Sequence, residues 1–83
     1  MPQTRFILTA GRDATSRAYA ALESAFEEDG CPLANIEIDE DRDLYEVSLY
    51  TDDDPDDVDE RLRAVLAEAG VLIEPVRETL PDV

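Results

Sequence analysis

Ala34-Asn35-Ile36-Glu37-Ile38-Asp39, then Glu40-Asp41-Arg42-Asp43, then Leu44-Tyr45-Glu46-Val47-Ser48-Leu49: in this stretch apolar and polar residues alternate, pause over a polar run, and alternate again. Ala34, Ile36 and Ile38 share one phase, and Tyr45, Val47 and Leu49 resume it. A period of two places successive side chains on opposite faces of an extended chain, so the stretch reads as a strand, a polar turn and a second strand. A hairpin therefore lies in the middle of the chain, and what flanks it decides the fold.

On both sides the period changes to that of a helix. Upstream, Ala18, Leu22, Ala25 and Phe26 recur at helical spacing. Asp13 is the expected N-cap, the helix is expected to run to about Asp29, and Gly30 and Pro32 stop it. Downstream, Asp54-Pro55 supplies a cap and a first-turn proline, and Val58, Leu62, Val65, Leu66 and Ala69 form an apolar stripe that Gly70 ends. Outside the helices, Arg5 to Ala10 alternates as a strand, with Phe6, Leu8 and Ala10 on one face and Arg5, Ile7 and Thr9 on the other. A last strand is expected over Leu72 to Thr79, on an edge of the sheet because Pro75 removes a ladder donor. The order strand, helix, strand, strand, helix, strand predicts an α+β, ferredoxin-like βαββαβ fold, its antiparallel sheet covered by both helices on one face and its first and third strands central. Residues 1–79 make this domain and residues 80–83 the start of a linker.

Composition narrows the function. The chain has 83 residues, 43% of them apolar, which suffices for one hydrophobic layer. It carries 22 Asp and Glu against 7 basic residues, all arginine, and a formal charge of −15. That charge repels phosphate backbones and anionic lipid and suits a basic protein partner. Cys31 is the single cysteine, so no internal disulfide forms and a reducing, cytoplasmic home is expected. The apolar run Phe6-Ile7-Leu8 near the start is too short for a signal peptide or a membrane span.

Catalytic residues are not expected. With neither His nor Lys in the chain, the usual general bases near neutral pH are missing, and Cys31 has no imidazole beside it in sequence. Gly11, Gly30 and Gly70 stand alone at element ends, whereas a loop that cradles a phosphate or nucleoside needs clustered glycines. Asp39, Asp41 and Asp43 have the spacing that opens a calcium loop, but Leu44 and Tyr50 stand where that loop needs Gly and Glu; an exposed turn accounts for them. The run Asp52 to Glu60 reads as a solvated helix start, with Asp57–Arg61 and Asp59–Arg63 as i,i+4 pairs. The sheet face away from the helices is the candidate partner surface. Arg5, Ile7 and Thr9 are expected there beside Glu46, Ser48 and Tyr50, and one tyrosine among carboxylates is too few stacking rings for RNA. Ile7, Glu46 and Tyr50 are taken as docking residues, and Asp52 and Asp53 as steering charges at the rim.

Three segments, Phe26-Glu27-Glu28-Asp29-Gly30-Cys31-Pro32-Leu33-Ala34, Glu37-Ile38-Asp39-Glu40-Asp41-Arg42-Asp43-Leu44-Tyr45-Glu46-Val47 and Glu78-Thr79-Leu80-Pro81-Asp82-Val83, carry a resemblance. Together, in order and spacing, they resemble the N-terminal domain of the PrmA-type ribosomal protein L-eleven methyltransferases. Tyr45 stands where many relatives are expected to have Trp. The resemblance implies a substrate-recognition domain, non-catalytic in isolation, joined by a linker to an S-adenosylmethionine-binding catalytic domain that this chain lacks. It also implies a basic large-subunit ribosomal protein as the partner. Nucleic acid and membrane are not expected as partners, and an exposed strand edge offers a route to a homodimer.

Two other readings share these features. An amino-acid-sensing module would bind ligand at the Ala10-Gly11-Arg12-Asp13 turn, and an acidic mimic of nucleic acid would block a basic enzyme. The charge itself makes one prediction. Self-repulsion at −15 is screened by salt over a Debye length of about 8 Å at physiological ionic strength, whereas each i,i+4 pair contributes only ~0.2–0.5 kcal/mol. The melting midpoint should rise from low to moderate sodium chloride; a falling midpoint would mean that local pairs outweigh repulsion.

Overall fold

The computed structural model describes residues 3–81. The elements follow in the order β1 (Gln3–Ala10), α1 (Arg12–Ala25), β2 (Leu33–Asp39), β3 (Leu44–Thr51), α2 (Pro55–Glu68) and β4 (Val76–Leu80). The strands form one sheet in the order β2-β3-β1-β4, with every neighbour antiparallel. This is the expected α+β, ferredoxin-like βαββαβ arrangement, with β1 and β3 in the centre and β4 on an edge.

The register sorts the side chains onto two faces. Phe6 lies opposite Leu49 and Leu8 opposite Val47, and all four are at most 1% exposed. Against them pack Ala18, Leu22 and Phe26 from α1, Val58, Leu62 and Leu66 from α2, and Val71 beyond it. Thr15 joins this layer although it is polar: its Oγ1 donates to the carbonyls of Gly11 at 2.9 Å and Arg12 at 3.1 Å, so its burial leaves no unmet hydrogen bond.

The helix ends depart from their expected positions for identifiable reasons. Asp13 does not cap α1. The N-cap is Gly11 in extended geometry with no side-chain bond, and the cap comes from a distant residue, Asp43, whose carboxylate accepts from the Arg12 N–H at 3.4 Å. Helix α1 stops at Ala25 rather than near Asp29, and Phe26 turns inward to be 2% exposed. Gly30 follows with φ +67°, the left-handed geometry that favours glycine. The expected Asp57–Arg61 pair is also absent. Arg61 reaches across to α1, where it donates to the Asp29 carboxylate and the Ala25 carbonyl and lies 4.5 Å from the centroid of the Phe26 ring. A cation at a helix C-terminus, bonded to an otherwise unpartnered carbonyl and stacked on a ring, does more than an exposed intrahelical pair.

Helix α2 matches its local signals. Asp54 accepts from the Asp56 N–H at 3.0 Å with Pro55 in the first turn, and Arg63 pairs with Asp59 at 2.7 Å. At its end Val71 N–H donates to Leu66 O at 2.9 Å and Gly70 N–H to Ala67 O at 3.1 Å, with Gly70 at φ +73°, a Schellman motif. The last strand is shorter than expected and shifted toward the C-terminus. Pro75 is buried ahead of β4 rather than within it, and Leu80, expected in the linker, lies opposite Gln3 at the end of β4. Asp82 and Val83 of the expected linker lie outside the described residues.

Leu62 is fully buried between the helices and the sheet. Leu62→Ala should cost about 2–5 kcal/mol of unfolding free energy, whereas Ile36→Ala, at a half-exposed position, should stay within about 0.5 kcal/mol of the parent. Urea unfolding of both variants checks the pair; equal losses would contradict the burial assigned here.

Candidate protein-docking face

The face of the sheet that the helices leave open is organised around one arginine. Arg5 lies opposite Tyr50 on β3 and Glu78 on β4, Ile7 opposite Ser48 and Val76, and Thr9 opposite Glu46. The Arg5 guanidinium lies over Ser48, donating to its Oγ from Nε at 3.1 Å and from Nη2 at 3.0 Å. It also donates to Glu46 Oε2 at 3.3 Å, approaches Glu78 at 3.9 Å, and sits 5.8 Å from the centroid of the Tyr50 ring. Ser48 is 0% exposed on a nominally open face because the arginine covers it. The planar guanidinium, with several donors, bonds the hydroxyl and the Glu46 carboxylate at once while keeping Glu78 in ion-pair range, which a point-like ammonium could not do.

The residues expected to dock are thus brought together. Ile7, Glu46 and Tyr50 are half-buried on this face, and they surround Arg5, whose role period-two reading alone did not reveal. One row across the sheet carries no charge: Ala34, Ser48, Ile7 and Val76. Beside it Ile36 of β2 lies opposite Glu46. The apolar phase of β2 therefore points to the open face, with Ile36 48% and Ile38 50% exposed, while Asn35 and Glu37 take the helix side at an exposed edge. The alternation marked a strand correctly but could not tell which face the helices cover.

Asp52 and Asp53 sit apart from the row, exposed in the loop that follows β3. They line a shallow depression of about 250 Å³ with Gln3, Cys31 and Tyr50, so Tyr50 joins the open face to this acidic end of the sheet. The Asp53 N–H donates to Thr51 Oγ1 at 3.0 Å, which fixes the start of the loop. Burial pushes the Cys31 thiol above its ordinary range, a hydrogen bond with Thr51 opposes this, and the nearby Asp29 and Asp53 push it further up. A thiol held protonated in this way is a poor nucleophile.

The carboxylates of the hairpin turn serve backbone. Asp39 accepts from the N–H groups of Asp41 at 3.1 Å and Arg42 at 3.3 Å, and Asp43 reaches α1. That second contact bears on the Ala10-Gly11-Arg12-Asp13 turn. A Cβ at Gly11 would lie 3.0 Å from Asp43 Oδ2, so the space where a small anionic ligand would meet the helix N-terminus is taken by the chain's own carboxylate. Gly30 and Gly70 are single turn positions elsewhere, each with positive φ. Among the described residues, no group of three His, Cys, Asp or Glu side chains is placed to hold a metal ion, and no helix is long and apolar enough to cross a membrane.

No family model matches the chain. Curated relatives do. The chain is 47% identical over 83 residues to a protein of Mesorhizobium japonicum named ribosomal protein L11 methyltransferase, covering 100% of the chain and 29% of that relative. It is 43% identical to the protein of the same name from Chelativorans, again over 100% of the chain and 29% of the relative. For the Brucella suis protein of that name the identity is 42%, over 100% of the chain and 28% of the relative. The chain thus spans less than a third of the length of these relatives. Throughout its length it is homologous to the ribosomal protein L11 methyltransferases, and it matches a domain-sized part of them consistent with their N-terminal domain.

Proposed function

We propose that this chain is the substrate-recognition domain of a cytoplasmic ribosomal protein methyltransferase, non-catalytic by itself, and that it docks a basic large-subunit ribosomal protein on its open sheet face. The observation that carries this reading is full-length homology to proteins named for methylating ribosomal protein L11, confined to 29% of their length. On this reading S-adenosylmethionine and the methyl-transfer chemistry belong to the remaining length of such proteins. The fold supports a docking role, since it presents an open sheet face whose central side chains are already fixed. Arg5 is held by Ser48, Glu46 and Glu78 before any partner arrives, so little side-chain freedom is lost on binding.

Two kinds of residue then divide the work. Tyr50 and Ile7, with the uncharged row beside them, supply the apolar contact that holds a partner in place, because a few packed anchors dominate interface energetics. Asp52 and Asp53 at the rim supply long-range attraction to a basic surface, which acts chiefly on the association rate.

Surface plasmon resonance with the ribosomal protein L11 of the same organism separates these roles. Tyr50→Ala should raise the dissociation rate about tenfold, equivalent to ~1.4 kcal/mol. Replacing Asp52 and Asp53 together by Asn should lower the association rate by roughly two- to fivefold, leave dissociation nearly unchanged, and flatten the salt dependence. If Tyr50→Ala binds like the parent while the double variant abolishes binding, the acidic loop is the dock and the sheet face is not. If the parent does not bind at all, the recognition reading fails.

A further inference from the structure

The sheet has two edges, β2 and β4, and they differ in how they are protected. On β2 the Pro32 carbonyl accepts from the Tyr50 N–H at 3.0 Å, which fixes the phase of the ladder. By the alternation of an antiparallel pair, Ala34 and Ile36 turn their backbone groups toward β3, and Leu33, Asn35 and Glu37 turn theirs outward. The register shift between Glu37 and Asp39 ends the regular run. Unpaired outward groups form a template for another strand, and natural edges are commonly guarded by lysine, proline or an inward charge.

Strand β4 has such guards. Arg77 and Glu78 lie in its middle, Arg77 bridging to Asp56 of α2 at 2.6 Å; a proline directly precedes each edge strand, Pro32 before β2 and Pro75 before β4. Strand β2 contains no Lys, Arg or Pro, and its charges are Glu37 and Asp39 alone. The turn that follows adds Glu40, Asp41 and Asp43 against Arg42. On the open face this edge presents Ala34 and the half-exposed Ile36; on the helix side it presents the exposed Asn35 and Glu37. The single sign of charge guards the edge against a second copy, since self-pairing would bring two bodies of −15 together. It does not guard against a cationic chain.

We infer that the outer edge of β2 takes up an extended basic polypeptide segment as a fifth strand. The segment pairs its backbone with Leu33, Asn35 and Glu37, sets aliphatic side chains beside Ala34 and Ile36, and sets basic side chains beside Asn35 and Glu37. Strand addition of this kind draws affinity from main-chain bonds and selectivity from alternate side chains. The inference rests on the reading that the natural partner is basic, and it extends the dock from the open face onto the neighbouring edge.

The test is amide hydrogen exchange of the isotope-labelled chain with a short, end-blocked peptide alternating valine and lysine. The amides of Leu33, Asn35 and Glu37 should slow by about tenfold at saturation, and a valine–glutamate peptide should leave them unchanged. Ile36→Lys should weaken peptide binding about tenfold, whereas Thr79→Lys on the other edge strand, exposed and outside the uncharged row, should not. Protection of these amides that grows with chain concentration in the absence of peptide would assign the edge to a second copy. Shifts confined to the Asp52–Asp57 region would reduce peptide binding to charge attraction without a strand. Either result overturns the inference. Intact L11 keeps the two readings apart: if its binding responds to Tyr50→Ala and not to Ile36→Lys, the edge inference fails and the recognition reading stands. If the peptide protects the edge while L11 does not bind, the recognition reading fails and the edge inference stands.

Discussion

Two helices of 14 residues can cover one face of a four-stranded sheet and no more. The rest of the structure follows from that limit. The covered face holds the core, in which Phe6, Leu8, Val47 and Leu49 meet Leu22 and Leu62, and burial of this one layer is the main stabilising term for a domain this small. The uncovered face cannot be stabilised in the same way. It is filled by a polar network under water, in which Arg5 covers Ser48 and draws in Glu46, Glu78 and Tyr50. A face so arranged is rigid without being buried, which is what a surface needs if it is to recognise a partner without being reshaped by it.

The arginines outline a second principle. Arg5 connects β1 to β3 and β4, Arg61 connects α2 to α1, Arg63 connects α2 to Glu74 in the following loop, and Arg77 connects β4 to α2. In a chain of −15, cations are the scarce partner, and three of seven, Arg5, Arg61 and Arg77, are placed where they bridge elements distant in sequence. The excess carboxylate is left at the Asp52–Asp57 end and around the hairpin turn, away from the Arg5 network. The two regions meet at Tyr50, which lies beside Arg5 and also lines the depression that holds Asp52 and Asp53.

How much of this was legible in the sequence depended on the range of the interaction. The Asp54-Pro55 start of α2 and the Asp59–Arg63 pair were readable because both partners lie within one turn. The placing of Ile7, Glu46 and Tyr50 on one face was readable too, since period two and the order of strands determine it. Cap Asp43 on α1 was not, because it comes from 31 residues away, and Asp13 was the better local candidate. Arg61 likewise had Asp57 nearby and chose Asp29, a preference set by the packing of two helices. The outward phase of Ile36 was hidden for a related reason: alternation says that a strand has two faces, and only the register with Glu46 says which is which. The central role of Arg5 needed both neighbouring strands in register before its four partners could be named.

The Asp43 contact has a consequence for the order in which the chain acquires structure. Helix α1 precedes everything that completes it. Its N-terminal cap arrives with residue 43 and its C-terminal cap with residue 61, while β1 waits for β3 and β4 to flank it. During synthesis from the N-terminus, the first thirty or so residues can gain little lasting structure, since the strands that pair with β1 and the residues that cap α1 lie further along the chain. Contacts of such long sequence separation form late and together, so the domain should fold as an all-or-none event once α2 and β4 are free of the ribosome, rather than element by element.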